Sequence, residues 1–212
     1  MEWQLLKGLS DTDVRRVLAS ARRRRFSKGE VLFHEGDPAA SIHLVDRGRV
    51  AVRISTPLGD VVTVDLLGPG DALGELALLA PDIRRGATAV ALEPTETLSL
   101  DESVFSALRR DDPSVTEVLV QMLAERVRLL DARLMEALYL PAETRLLRRL
   151  IDLGRTYGDT IPLTQEDIAG LAGTTRATVN RVLRREEKAG TVALARGRVT
   201  LVDHEALARR AR

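Results

Sequence analysis

Hydrophobic positions change their spacing along the chain, and each change predicts a different kind of element. Val14, Val17 and Leu18 follow Ser10 at helical intervals, so Ser10 is read as the N-cap of a short helix over 10–21. From Arg24 to Leu100 the apolar runs are short and broken by turn residues. Val31–Phe33, Ile42–Val45, Val50–Ile54 and Val61–Leu67 alternate with Glu35-Gly36-Asp37-Pro38, Arg47-Gly48, Pro57-Leu58-Gly59-Asp60 and Gly68-Pro69-Gly70-Asp71. Val50, Val52 and Ile54 alternate with Ala51, Arg53 and Ser55, the period of a strand. Turn signals at this density predict an all-β barrel or sandwich.

The period returns to helical at Ser114. Val115, Val118, Leu119, Met122, Leu123, Leu129, Leu130, Leu134, Ala137 and Leu138 recur without Pro or Gly as far as Tyr139. A helix of this length runs to ~39 Å, more than a small barrel covers, so a second copy of the same helix is the expected partner. Pro141 ends it. Leu146, Leu147, Leu150, Ile151 and Leu153 then mark a helix over 142–156.

The next segment, Leu163-Thr164-Gln165-Glu166-Asp167-Ile168-Ala169-Gly170-Leu171-Ala172-Gly173-Thr174-Thr175-Arg176-Ala177-Thr178-Val179-Asn180-Arg181-Val182-Leu183, carries the functional signal. Thr164 and Asp167 stand in capping-box positions. Ile168, Ala169 and Ala172 make a small inner face, Gly173 suits a tight turn, and Thr174 or Thr175 caps the second helix. Val179, Val182 and Leu183 pin that helix, leaving Arg176, Ala177, Asn180 and Arg181 facing out. Thr191–Leu194 and Val199–Val202, joined through Ala195-Arg196-Gly197-Arg198, predict a hairpin with a basic tip. Helix, turn, helix and wing together predict a DNA-reading head over about Leu163–Glu187. Arginine pairs bidentately with guanine O6 and N7, so Arg176 and Arg181 are assigned to base edges. Asn180 is assigned to a base or a phosphate. Thr164, Thr174, Thr175, Thr178, Arg196 and Arg198 are assigned to phosphates.

Composition narrows the alternatives. With no cysteine, disulfides, iron–sulfur clusters and thiolate zinc sites are excluded, and His34, His43 and His204 have no metal-ligand spacing. Charge is uneven: residues 1–141 hold 18 Lys+Arg against 22 Asp+Glu, a net −4, and residues 142–212 hold 14 against 9, a net +5. A basic segment beside an acidic one fits a nucleic-acid module joined to something else. The start of the chain lacks a basic region followed by an apolar one, and no apolar run approaches the ~20 residues of a membrane span, so a cytoplasmic protein without membrane contact is expected. No nucleophile–base pair, metal cluster or Walker-type loop is evident, which argues against an enzyme.

With these features in place, the sequence resembles the cyclic AMP receptor protein/FNR (CRP/FNR) family of bacterial regulators. The resemblance rests on Glu35-Gly36-Asp37, Gly68-Pro69-Gly70-Asp71, Gly74-Glu75-Leu76 with Arg85 downstream, and Thr175-Arg176-Ala177-Thr178-Val179-Asn180-Arg181. It implies an α+β fold with three parts: a cyclic-nucleotide-binding-type β-roll over 1–113, a dimerisation helix over 114–140, and a winged helix-turn-helix over 141–212. It implies a homodimer, joined through the 114–140 helix, that reads a near-palindromic operator in double-stranded DNA. Ala177 departs from the glutamate common in the family and cannot accept a hydrogen bond from cytosine. A half-site different from the usual TGTGA type, or relaxed against it, is therefore expected.

The resemblance also implies an effector pocket at Gly74, Glu75, Leu76, Arg84, Arg85, Gly86 and Ala87, completed by Leu130 and Asp131 of the long helix. Glu75 would accept from a ribose hydroxyl, and Arg85, with Arg84 as the alternative, would pair with a cyclic phosphate. Gly86 stands where the family has Ser or Thr, and Leu130 cannot hydrogen-bond a base. Three readings stay open: cyclic AMP, another small effector, or a ligand-free Glu75–Arg85 salt bridge in a constitutive DNA binder. In the basic run Arg22–Arg25, Arg22 and Arg24 are assigned to contact with RNA polymerase, the alternative being a charged edge that discourages strand pairing. The rival function is a cyclic-nucleotide sensor that regulates another protein. If the chain switches between two states, the hinge is expected near Leu138–Glu143.

Overall fold

A computed structural model describes residues 3–7, 9–56, 61–78, 83–111 and 114–211; the turn expected at Pro57–Asp60 lies outside them. The chain divides into two compact units, 1–55 with 65–128, and 56–64 with 129–212.

In the first unit, helix α1 (Asp11–Ser20) starts at Ser10, whose hydroxyl accepts from the Asp13 N–H. Eight strands follow: β1 (Arg22–Phe26), β2 (Val31–Phe33), β3 (Ser41–Arg47), β4 (Val50–Ser55), β5 (Val61–Leu67, whose residues up to Val64 count with the second unit), β6 (Ala72–Leu73), β7 (Thr88–Ala91) and β8 (Thr95–Asp101). They form two four-stranded sheets, ordered β1-β8-β3-β6 and β2-β7-β4-β5. Helix α2 (Glu102–Asp111), which the hydrophobic pattern did not disclose, follows β8.

Strand β3 shows why this layout closes. It is buried on both faces, so its period of two separates two interiors. Ile42 and Leu44 join Leu100, Phe105, Val115, Leu119 and Val17 in a core beneath the helices. Val45 joins Val50, Leu67, Leu73 and Ala89 in a second core. Trp3 Nε1 donates to the Val45 carbonyl at 3.0 Å and ties the start of the chain to the same strand.

His43, also on β3, is buried between Phe26 and Phe33, whose ring centroids lie 6.2 and 6.0 Å away. Its Nδ1 meets Thr97 Oγ1 at 3.0 Å. Burial, with the positive charges of Arg85 and Arg24, pushes its pKa down to about 4.

In the second unit, helix α3 (Ser114–Tyr139), whose first half belongs to the other unit, ends before Leu140 and Pro141. Pro141 is the N-cap of α4 (Ala142–Tyr157). Strand β9 (Thr160–Ile161), helices α5 (Gln165–Ala172) and α6 (Arg176–Lys188), strands β10 (Val192–Ala195) and β11 (Arg198–Leu201), and helix α7 (His204–Arg210) complete the unit. Leu146, Leu147 and Leu150 of α4 meet a core that holds Ile161, Leu163, Ile168, Val179, Val182, Leu183, Leu201 and Leu207, all buried. The expected hairpin is present and gains β9 as a third strand, in the order β10-β11-β9. Two residues are too short for a periodic signal, which is why β9 was not foreseen. Among the described residues no helix is long and apolar enough to cross a membrane, and no cluster of His, Asp or Glu could hold a metal.

The low pKa of His43 sets a pH dependence. The folded chain takes up this proton near pH 4 and the unfolded chain near 6.5, so the unfolded state binds more protons between those values and stability falls as pH drops through that window. Urea unfolding at pH 7 and pH 5 should show His43→Gln losing about 2 kcal/mol less than the parent over that step. Equal losses in the two proteins would show that His43 does not titrate this way.

Candidate nucleic-acid interface and effector pocket

Helix α5 begins with a complete capping box. Thr164 Oγ1 accepts from the Asp167 N–H at 3.1 Å, and Asp167 Oδ2 accepts from the Thr164 N–H at 3.3 Å. Within the same unit, buried Thr63 donates to Asp167 Oδ1 at 2.9 Å. A Cβ on Gly170 would sit 2.7 Å from the Thr63 backbone N and O, so only glycine admits this approach.

Gly173 closes α5 at φ 59, ψ 46, a left-handed cap. Thr175, not Thr174, caps α6, accepting from the Thr178 N–H. The turn is fastened from outside by Arg145 of α4. Its Nε donates to the Ala172 carbonyl at 3.1 Å and its NH2 to the Gly173 carbonyl at 2.6 Å, while NH1 donates to the carbonyls of Leu140 (2.8 Å) and Ala137 (3.4 Å) at the end of α3.

The far end of α6 is held by Glu186, which is fully buried. Burial alone would raise its pKa, but hydrogen bonds from Thr191, Arg185 and Arg210 outweigh this and hold the carboxyl below its ordinary range. Arg210 comes from α7, so the last helix braces the recognition element.

Between these fastenings α6 buries Val179, Val182 and Leu183 and exposes Arg176, Ala177, Asn180 and Arg181. Asn180 Nδ2 donates to Gln165 Oε1 on α5 at 3.1 Å. Gln165 was not among the residues expected at this face. The contact joins residues fifteen apart and depends on how the two helices cross, which sequence spacing does not display. Thr164 and Thr175 are exposed, Thr174 and Thr178 half-buried, and Thr175 and Thr178 hydroxyls meet at 3.1 Å. Arg196 and Arg198 are exposed at the wing tip, where Gly197 takes φ 69.

In the roll, Arg85 is 6% exposed. Its Cζ lies 4.1 Å from the centroid of the Phe33 ring, and its NH2 donates to the Ser41 carbonyl at 2.6 Å and to Ser41 Oγ at 3.1 Å. Nε and NH1 are buried without a hydrogen-bond partner. The Glu75–Arg85 salt bridge held open from sequence is thus not formed; Arg85 turns to Ser41 instead. Burial lowers its pKa, against the opposing charges of Asp37 and Glu75. Gly74, at φ 83, lets the guanidinium pass, because a Cβ there would lie 2.2 Å from NH1. Arg84, the alternative arginine, is exposed and donates to the Gly36 carbonyl at 2.8 Å, so it does not enter this interior. Glu75 and Ala87 are half-buried, and Leu76 and Gly86 are exposed. Leu130 and Asp131 lie on α3 in the second unit, both exposed.

Arg22 and Arg24 are exposed on β1, an edge strand, while neighbouring Arg23 pairs with Asp46 and Glu96, and Arg25 with Glu96.

Residues 23–112 match the model of the cyclic nucleotide-binding domain, and residues 144–210 that of the Crp-like helix-turn-helix domain. The chain is 36% identical over 196 residues to a cyclic AMP receptor protein of Thermus thermophilus, covering 92% of this chain and 90% of that one. It is 30% identical over 195 residues to a CRP-like cAMP-activated global transcriptional regulator of Mycobacterium tuberculosis, covering 88% and 87%. Among solved structures, a catabolite activator protein of Thermus thermophilus is similar with a TM-score of 0.58 at 34% identity, covering 98% of both chains. A CRP-family regulator from the same organism is similar at 0.75 and 27% identity, covering 89% and 96%.

Replacing Arg145 by Ala should leave the carbonyls of Ala172 and Gly173 without their donor. That should lower the unfolding free energy of the winged-helix unit by about 2 kcal/mol and speed amide exchange in the α5–α6 turn. Unchanged exchange at Gly173 and Thr174 would contradict the role given to this side chain.

Proposed function

Because the chain belongs to the CRP/FNR family of DNA-binding transcription regulators, we propose that it reads its operator through Arg176, Asn180 and Arg181 and answers to an anionic cyclic nucleotide held by Arg85. The observation that carries the first half is the capped and braced α6, whose outward side bears two exposed arginines five residues apart. A helix so held enters the major groove, where Arg176 and Arg181 meet guanine edges. Thr164, Thr174, Thr175, Thr178, Arg196 and Arg198 surround that face and contact phosphates.

The chain works as a homodimer. Val120, Val127, Leu130, Leu134 and Leu138 recur along α3 at intervals of seven, three, four and four, and all are more than half exposed. That is the spacing of a helix that lies along a second copy of itself. Two reading heads then face two half-sites of a near-palindromic operator. Three parts, 1–113, 114–140 and 141–212, do the sensing, the pairing and the reading. The protein acts in the cytoplasm as a regulator, not as an enzyme, in keeping with relatives named as global transcriptional regulators. Exposed Arg22 and Arg24 offer RNA polymerase a basic contact surface.

The second half rests on the unpartnered Nε and NH1 of Arg85. A buried guanidinium with no carboxylate in hydrogen-bond contact has only distant compensation, and a phosphate supplies both charge and acceptors. Cyclic AMP is the effector we favour, in line with the names of the relatives; Glu75 takes the ribose, and Gly74, Leu76, Gly86 and Ala87 line the site. Asp131 remains an acceptor for a base amino group, which Leu130 cannot be.

Calorimetry with cyclic AMP on the full chain should show binding that Arg85→Gln weakens at least about 30-fold. No heat with the parent protein would reject the effector. Arg176→Ala should cost about tenfold or more in operator affinity and relax selection at one guanine position, read by selection from random duplexes. Unchanged selection would reject the assignment.

A further inference from the structure

The exposed face of α6 holds a residue pair that the arginines do not account for. Asn180 Nδ2 donates to Oε1 of Gln165, the first residue of α5, at 3.1 Å. An asparagine amide on an exposed helix face ordinarily rotates about χ2 between two opposed orientations. The bond to Gln165 favours one of them. It engages one Nδ2 hydrogen and leaves the second Nδ2 hydrogen and Oδ1 available. A donor and an acceptor side by side on one planar amide match adenine, which offers N7 as acceptor and N6–H as donor in the major groove.

The surroundings favour the same role. Asn180 lies one turn beyond Arg176 and directly before Arg181, on the exposed stripe. Ala177, three residues before it, ends in a methyl group. A carboxylate there would be an i, i+3 neighbour of Asn180 and would compete with Gln165 for its amide hydrogens. The alanine that removes one base contact therefore leaves the amide undisturbed.

We propose that Gln165 is a positioning residue that presents the amide of Asn180 to an adenine beside the guanines of each half-site. This rests on the reading of α6 as the base-reading helix. Fixing the amide before binding lowers the ordering cost of the contact, so part of its selectivity depends on a side chain that touches no base.

The test is selection from random double-stranded DNA with the full chain and its Asn180→Ala, Gln165→Ala and Gln165→Glu variants, followed by affinities for single-base changes in the selected site. The parent should enrich guanines and, next to them, an adenine preferred over the other bases on the order of tenfold. Asn180→Ala should lose the adenine preference and keep the guanines. Gln165→Ala should reduce the adenine preference severalfold. Gln165→Glu, which still offers an acceptor to Asn180, should restore it at lower overall affinity.

Retained guanine positions show in each variant that the helix is folded and docked. Absence of guanine enrichment in the parent would overturn the base-reading helix itself. Guanines without an adenine, or an adenine preference that survives in Asn180→Ala, would overturn the present proposal alone. A Gln165→Ala variant that weakens all sequences equally would make Gln165 a phosphate contact and overturn its positioning role.

Discussion

Four main-chain carbonyls left over by helix ends converge on one guanidinium. Helices α3 and α5 each finish with acceptors that no further turn can satisfy, and Arg145 reaches Ala137 and Leu140 at one and Ala172 and Gly173 at the other. The planar fork suits this task because its donors point in fixed, diverging directions, which an ammonium group could not reproduce. The angle at which α6 leaves the turn, and so the direction in which Arg176 and Arg181 project, depends on that fastening. Glu186 does the corresponding work at the other end of α6, where it is fully buried and gathers donors from α6 itself, the turn that follows it and α7. A recognition helix braced at both ends loses little freedom on meeting DNA.

The same side-chain type appears in the roll in the opposite condition. Arg85 is as inaccessible as a core residue, stacked on Phe33 and tied to Ser41, yet two of its nitrogens have no acceptor. Arg145 completes a structure, and Arg85 is left incomplete by one. Desolvating a cation without a hydrogen-bonded partner is costly, and an anion bound there would recover part of that cost.

Much of this was legible in the sequence because local chemistry and tertiary demand coincide. Thr164 and Asp167 form the capping box that their spacing announces, Gly173 takes the left-handed conformation that its place between helices requires, and Pro141 separates α3 from α4. The alternation at Val50–Ile54 becomes β4. What escaped depends on contacts made far along the chain or on elements too short for a period. Strand β9 has two residues and α7 seven, and α2 is a ten-residue helix that follows β8 without a break. At the sites, sequence kept a Glu75–Arg85 salt bridge as one of three open readings, whereas the fold turns Arg85 to Ser41, forty-four residues away. The choice between Arg84 and Arg85 needed burial to decide it, because the two lie outside any strand and no period says which one turns inward.

The chemistry of the reading face has a further consequence. Arg176, Ala177, Asn180 and Arg181 include no carboxylate, imidazole or thiol. Buried His43 of the roll gains its proton only near pH 4 while the chain is folded. Acidification therefore acts on the stability of the folded roll, through the proton that His43 gains on unfolding, and leaves the set of side chains displayed by α6 as it is.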